Sequence, residues 1–140
     1  MTQVDFYTHV ADKLLFACQI ARKAYAQKKP LVIYAADLAM ANKVDHLLWS
    51  NPSIGFIPHC TADNRLAAQT PVLIAREQCE FPHHEVLINL NDEWPPFFSR
   101  FERLVEIVST DAADRGAARE RYRFYRDRGY DVRSHAMNAG

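Results

Sequence analysis

Apolar residues recur along the chain in two rhythms. Four short runs are apolar almost without interruption: residues 31–35 (LVIYA), 71–75 (PVLIA), 86–90 (VLINL) and 104–108 (LVEIV), the last with partial alternation. Runs of this length, bounded by polar or turn-forming residues, predict strands covered on both faces. Residues 4–7 (VDFY) have strand composition and add a fifth. The other rhythm is helical. Leu14, Cys18, Ala21 and Tyr25 mark one face of a helix over residues 11–28, which Lys28-Lys29-Pro30 ends. Ala41, Val44, Leu47 and Leu48 mark a second over residues 38–49, with Asp37 placed to cap it and Asn51-Pro52 to stop it. A short helix is predicted over residues 95–103, with Pro95 or Pro96 near its start, and a final one within residues 111–130.

Strands that alternate with helices predict parallel pairing through crossover helices. The expected architecture is α/β: a single three-layer domain over residues 1–140, with a mostly parallel sheet of about five strands. A fold of this nucleotide-binding type invites a phosphate. Yet the chain has four glycines, Gly55, Gly116, Gly129 and Gly140, and none lies in the turn after the first strand. Neither G-x-G-x-x-G nor G-x-x-x-x-G-K-[ST] occurs, so no phosphate-binding loop is expected and no cofactor is implied.

Other chemistries fare no better. Cys60, Cys79, His59, His83 and His84 are of the types that bind zinc, but there is no C-x-x-C or H-x-x-x-H pair, and adjacent histidines ligate one ion poorly. No metal site is expected. A Cys–His catalytic pair has no supporting motif, a G-x-S-x-G elbow is missing, and His9 and His59 read as loop residues satisfied by backbone partners. No catalytic residue is assigned.

Composition narrows the class further. Lysine plus arginine and aspartate plus glutamate number 17 each, a neutral balance that argues against general phosphate neutralisation of nucleic acid. Any nucleic-acid role is expected to be mainly indirect. No apolar run approaches the roughly 18 residues of a membrane span, and residues 1–10 lack the basic start and apolar stretch of an export signal. Three cysteines at unrelated spacings read as reduced thiols, and a cytosolic location is expected.

Charge is nonetheless unevenly placed. Seven arginines fall between Arg115 and Arg133. At about 100° per residue, Arg115, Arg119, Arg123 and Arg126 share an arc of roughly 80°, with Tyr122 beside them. A guanidinium donates two parallel hydrogen bonds to an oxyanion, so this arc is a receptor for carboxylates or phosphates. Ala117, Ala118, Phe124 and Tyr125 lie on other faces, and Arg121 and Arg128 are expected to snorkel at the margins of that apolar side. A solvated face paired with Glu120 and Asp127 is the alternative. The interleaved aromatics favour a binding surface. A second segment, residues 47–59, carries Trp49 just before Pro52 and Phe56 between Pro52 and Pro58, as either a lid on the core or an exposed hot spot.

Six blocks taken together resemble the chi subunit family of bacterial DNA polymerase III: D-F-Y at Asp5-Phe6-Tyr7, L-W-x-x-P at residues 48–52, F-I-P-H at residues 56–59, P-V-L-I at residues 71–74, L-I-N-L at residues 87–90 and R-E-R-Y-R-F-Y-R at residues 119–126. The resemblance covers nearly the whole chain. It implies a non-catalytic adaptor of the clamp-loader complex that binds the acidic, Phe-terminated tail of single-stranded-DNA-binding protein. Carried over by position, the tail surface would be Val108, Arg115, Arg119, Tyr122 and Arg123. Arg119 would grip the terminal carboxylate, Arg115 and Arg123 would attract the acidic residues, and a notch beside Val108 and Tyr122 would take the terminal ring. Trp49 and Phe56 would face the psi subunit, or another clamp-loader or helicase partner.

The chain departs from that pattern in places. Arg115 and Arg123 stand where the family often has lysine, residues 76–85 are shorter than in the family, and Gly116 predicts a late or irregular first turn of the final helix. Two other readings divide by location. An enzyme on this fold would use strand ends near residues 35–37, 75–77 and 91–93. A direct single-stranded-DNA binder would use the arginine and tyrosine surface alone, with a salt-steep affinity.

Overall fold

A computed structural model describes residues 1–50 and 57–137. Among the described residues, seven strands form one sheet: β1 (Gln3–Val10), β2 (Leu31–Tyr34), β3 (His59–Thr61), β4 (Val72–Ala75), β5 (Val86–Asn89), β6 (Arg103–Ser109) and β7 (Asp131–Ala136). Their order is β3-β4-β2-β5-β6-β1-β7, and every pairing is parallel. The helices are α1 (Lys13–Ala26), α2 (Leu38–Ser50) and α3 (Ala112–Asp127). The α/β class is as expected. The sheet, however, has two strands more than the pattern predicted, β3 and β7, and both lie at its edges.

Side-chain alternation divides the core in two. On one face, Leu31, Ile33, Val72, Ile74, Ile88, Val105 and Ile107 pack under α1 and α2. On the other, Val4, Phe6, Val32, Leu73, Leu87, Leu104 and Val108 pack under α3 and the segment 91–102. Central strands buried on both faces have no polar side, which is why they read as unbroken apolar runs.

Helix starts are set by short side chains. The Asp12 carboxylate accepts from the Leu15 amide at 3.1 Å and starts α1 at Lys13, two residues later than the apolar rhythm suggests. Asp111 accepts from the Asp114 amide at 3.2 Å and starts α3 at Ala112. The first turn of α3 is therefore neither late nor irregular despite Gly116. Asp114 then turns back, accepting from the Ser109 amide at 2.7 Å and from Lys13 Nζ at 3.0 Å, and so ties α3 to the end of β6 and to α1.

The expected helix over residues 95–103 is reduced to a 3-10 turn at Phe98–Arg100. Phe97, Phe98 and Phe101 all bury their rings, and the i→i+3 bonds Phe98 N to Pro95 O and Phe101 N to Phe98 O suffice before β6 begins at Arg103. Too few residues separate Pro96 from that strand for an α-helix to form.

Candidate functional site

The arginine-rich helix α3 is built around one buried carboxylate. Glu106, in the middle of β6, is fully buried beneath it. Its oxygens accept from Arg121 Nε at 3.0 Å, from the Tyr125 hydroxyl at 2.6 Å and from Asn89 Nδ2 at 3.1 and 3.2 Å. Arg121 also donates from Nη1 to the Asp92 carbonyl at 2.9 Å. Burial holds the Glu106 carboxyl above its ordinary value, and Arg121, Tyr125 and Asn89 offset only part of that push by favouring the ionised form. Arg121 thus does not snorkel at a margin; it is 1% exposed, because Glu106 needs a cation and Arg121 shares the inward stripe with Ala118 and Tyr125. Arg128 does lie at the margin, its guanidinium 3.8 Å from the centre of the Phe124 ring.

With Arg121 facing inward, the helical repeat turns Arg115, Arg119 and Arg123 outward, and all three are exposed. Arg115 and Arg119 make no side-chain hydrogen bond or ion pair among the described residues. Arg123 meets Glu120 at 3.2 Å, and Arg126 meets Asp127 at 3.2 Å. These pairs are open to water and are worth little, so neither occupies its arginine firmly. Tyr122 is half-buried, its ring 5.4 Å from that of Phe6. Val108 is buried at the end of β6, in the same apolar cluster as Tyr122 and Phe6. The structure therefore puts Arg115 and Arg119 on the Tyr122 flank of α3, with Arg123 on the helix's outer face and Val108 buried in β6.

The other flank of α3 is closed. Trp94 stacks on Phe124 with ring centres 3.7 Å apart and planes 12° from parallel, and Phe98 approaches the same ring edge-on at 6.1 Å. Nothing in the apolar rhythm of the sequence singled out Trp94. The signal available was an indole just before the prolines of a segment that must cross the sheet.

Trp49, at the end of α2, is 60% exposed and meets the His59 ring edge-on at 5.3 Å. Phe56 lies outside the described residues. His59 is a strand residue whose Nδ1 lies 2.6 Å from the Ile57 carbonyl and whose Nε2 lies 3.1 Å from Asp45 Oδ1, so a side chain as well as the backbone satisfies it.

The strand ends form a cleft of about 540 Å³ between β3, β4 and the start of α2, lined in part by Asn42, Asp45, Thr61, Asp63, Arg76 and Glu77. Cys79 borders it, but burial and the nearby Asp63, Glu77 and Glu80 push its thiol up, away from the thiolate an enzyme needs. Burial likewise pushes Cys18 up to about 12. Among the described residues no group of three or more His, Cys, Asp or Glu is placed to hold a metal ion. None of their helices is long and apolar enough to cross a membrane.

The family described as DNA polymerase III chi subunit, HolC, matches residues 1–133. The DNA polymerase III subunit chi of Pseudomonas aeruginosa is 37% identical over 141 residues, 98% of each chain. The proteins of the same name from Escherichia coli and Haemophilus influenzae are 30% and 29% identical, over 82% and 83% of this chain and 79% and 81% of theirs. A match over almost the whole length, on a chain that also has the α/β fold and the exposed arginine helix described above, shows that it belongs to the DNA polymerase III chi subunit family, whose members are non-catalytic accessory subunits.

Proposed function

We propose that the protein is a replication adaptor that joins the DNA polymerase III clamp-loader complex to single-stranded-DNA-binding protein by holding that protein's acidic C-terminal tail on α3. The observation that carries this reading is the pair Arg115 and Arg119. They stand one helical turn apart, exposed and without a side-chain partner among the described residues, beside the apolar ground of Tyr122 and Val108. Guanidinium groups left free next to a half-buried aromatic ring suit a chain that ends in an aromatic residue with carboxylates before it. Arg119 grips the terminal carboxylate. Arg115 and Arg123 attract the preceding acids, and the terminal ring enters beside Val108 and Tyr122. A second face, at the exposed Trp49 with Phe56, takes the psi subunit or another clamp-loader or helicase partner. The whole chain acts as a single domain.

Fluorescence anisotropy with a labelled acidic, Phe-ended peptide tests the reading. Saturable binding in roughly the micromolar range is expected, weakening as salt rises. Arg119→Ala, and a peptide without its last Phe, should each lower affinity by about tenfold or more. Unchanged affinity in both would remove the assignment.

A further inference from the structure

We propose that the tail binds as an added β-strand along the free edge of β7, so that the docking surface is a shelf made by β7 together with the Tyr122 flank of α3. The inference rests on the tail-binding reading above and specifies how the backbone of the tail is held.

Strand register fixes the geometry. Phe6 of β1 sits between Glu106 of β6 and Ser134 of β7. Above Glu106 lie Arg121 and Tyr125, and above Phe6 lie Tyr122 and Tyr125. The helix therefore runs over β6 and β1. Ser134, the third residue of the row, is exposed, as is Ala136 two residues on. Only Val132 of the same side of β7 is half-buried. The stack of Trp94 on Phe124 closes the opposite flank of α3, so the open side is the one bearing Tyr122. By the helical repeat, Arg115, Arg119 and Arg126 lie within roughly 60° of Tyr122 around the axis, and so lean toward this shelf.

No described strand covers the edge itself. β7 is last in the strand order and pairs only with β1 among the described residues, so alternate N–H and C=O groups point away from the sheet. Edge strands are commonly blunted by proline, lysine or a bulge. β7 reads DVRSHA, has neither residue, and pairs with β1 in unbroken register over all six positions. Its arginine and histidine turn to the other face, where His135 stacks on Tyr7 and meets Asp5 at 3.0 Å. What remains toward α3 is small and uncharged: Val132, Ser134 and Ala136. Six strand residues span roughly 20 Å, room for five or six residues of an extended peptide. Backbone pairing makes no demand on its sequence, and the neighbouring arginines select an acidic one.

Backbone N-methylation separates this mode from a purely side-chain one, because it removes amide donors and leaves every side chain and charge in place. Two peptides are compared with the parent tail, methylated on alternate residues in the two possible registers. One register is expected to lose roughly tenfold in affinity, the value of one or two lost hydrogen bonds, while the other stays close to the parent. In the same complex, amide exchange at the outward-facing N–H groups of β7 should slow. If both methylated peptides bind as the parent does, or if bound peptide leaves β7 exchange unchanged, the strand-addition mode is wrong and the tail reading stands. A parent peptide that does not bind at all overturns both.

Discussion

Glu106 is the residue on which the arginine helix turns. A carboxylate in the centre of a strand would be costly to bury alone, and here it is met by a guanidinium, a phenol and a carboxamide at hydrogen-bond distance. Losing one partner is worse than losing both. Arg121→Ala should destabilise the fold by about 3–5 kcal/mol in urea unfolding, whereas Glu106→Leu combined with Arg121→Met should recover most of the loss. Equal stability of the single and double variants would contradict this account. The pair was only half legible in the sequence. Arg121 is one of seven arginines that look alike, and it was expected to snorkel. What distinguishes it is its place between Ala118 and Tyr125 on the inward stripe, together with a lone glutamate among the apolar residues of β6.

At the scale of elements, the strands that the apolar runs foretold are the ones covered on both faces: β2, β4, β5 and β6, with β1 beside them. β3 and β7 escaped notice for the same physical reason that makes them edges. His-Cys-Thr and Asp-Val-Arg-Ser-His-Ala bury too little to leave an apolar run, and their pairing comes from the neighbouring strand rather than from their own side chains. The arginine flank was legible because helical spacing alone sets it, but the shelf beside it was not, since β7 was not foreseen. Helix α3 holds one further lever. A methyl group added at Gly116 would meet nothing within 4 Å, and no left-handed backbone is required there. Gly116→Ala should therefore stabilise the protein by up to about 1 kcal/mol in chemical denaturation, through helix propensity. A loss of stability instead would mean that α3 needs flexibility at its first turns.

Over the whole molecule, two carboxylates bind distant segments together and make the fold acid-sensitive. Burial opposes the ionised form of Asp5, but His135, Arg103 and Gln3 outweigh it and hold its pKa below the usual value. Burial likewise opposes ionisation of Asp114, and the Ser109 amide with the Lys13 ammonium outweighs it. A carboxyl whose pKa is lower folded than unfolded adds stability above its unfolded value of about 4 and loses it as pH falls through the folded one. The thermal unfolding temperature should therefore drop progressively below about pH 4, and Asp114→Asn should flatten that drop. An unchanged acid profile in that variant would argue against its role.

The pairing of β1 with both β6 and β7 has a consequence in time as well as in space. β1 cannot acquire either of its neighbours until the ribosome has passed residue 103, nor the second of them until residues 131–136 have emerged. Contacts of such long sequence separation slow folding, so β1 waits unmatched while the roughly hundred residues between it and β6 are made. The face beside α3 forms only after β7 has joined β1, so a partner that recognises it meets only chains in which that strand is in place.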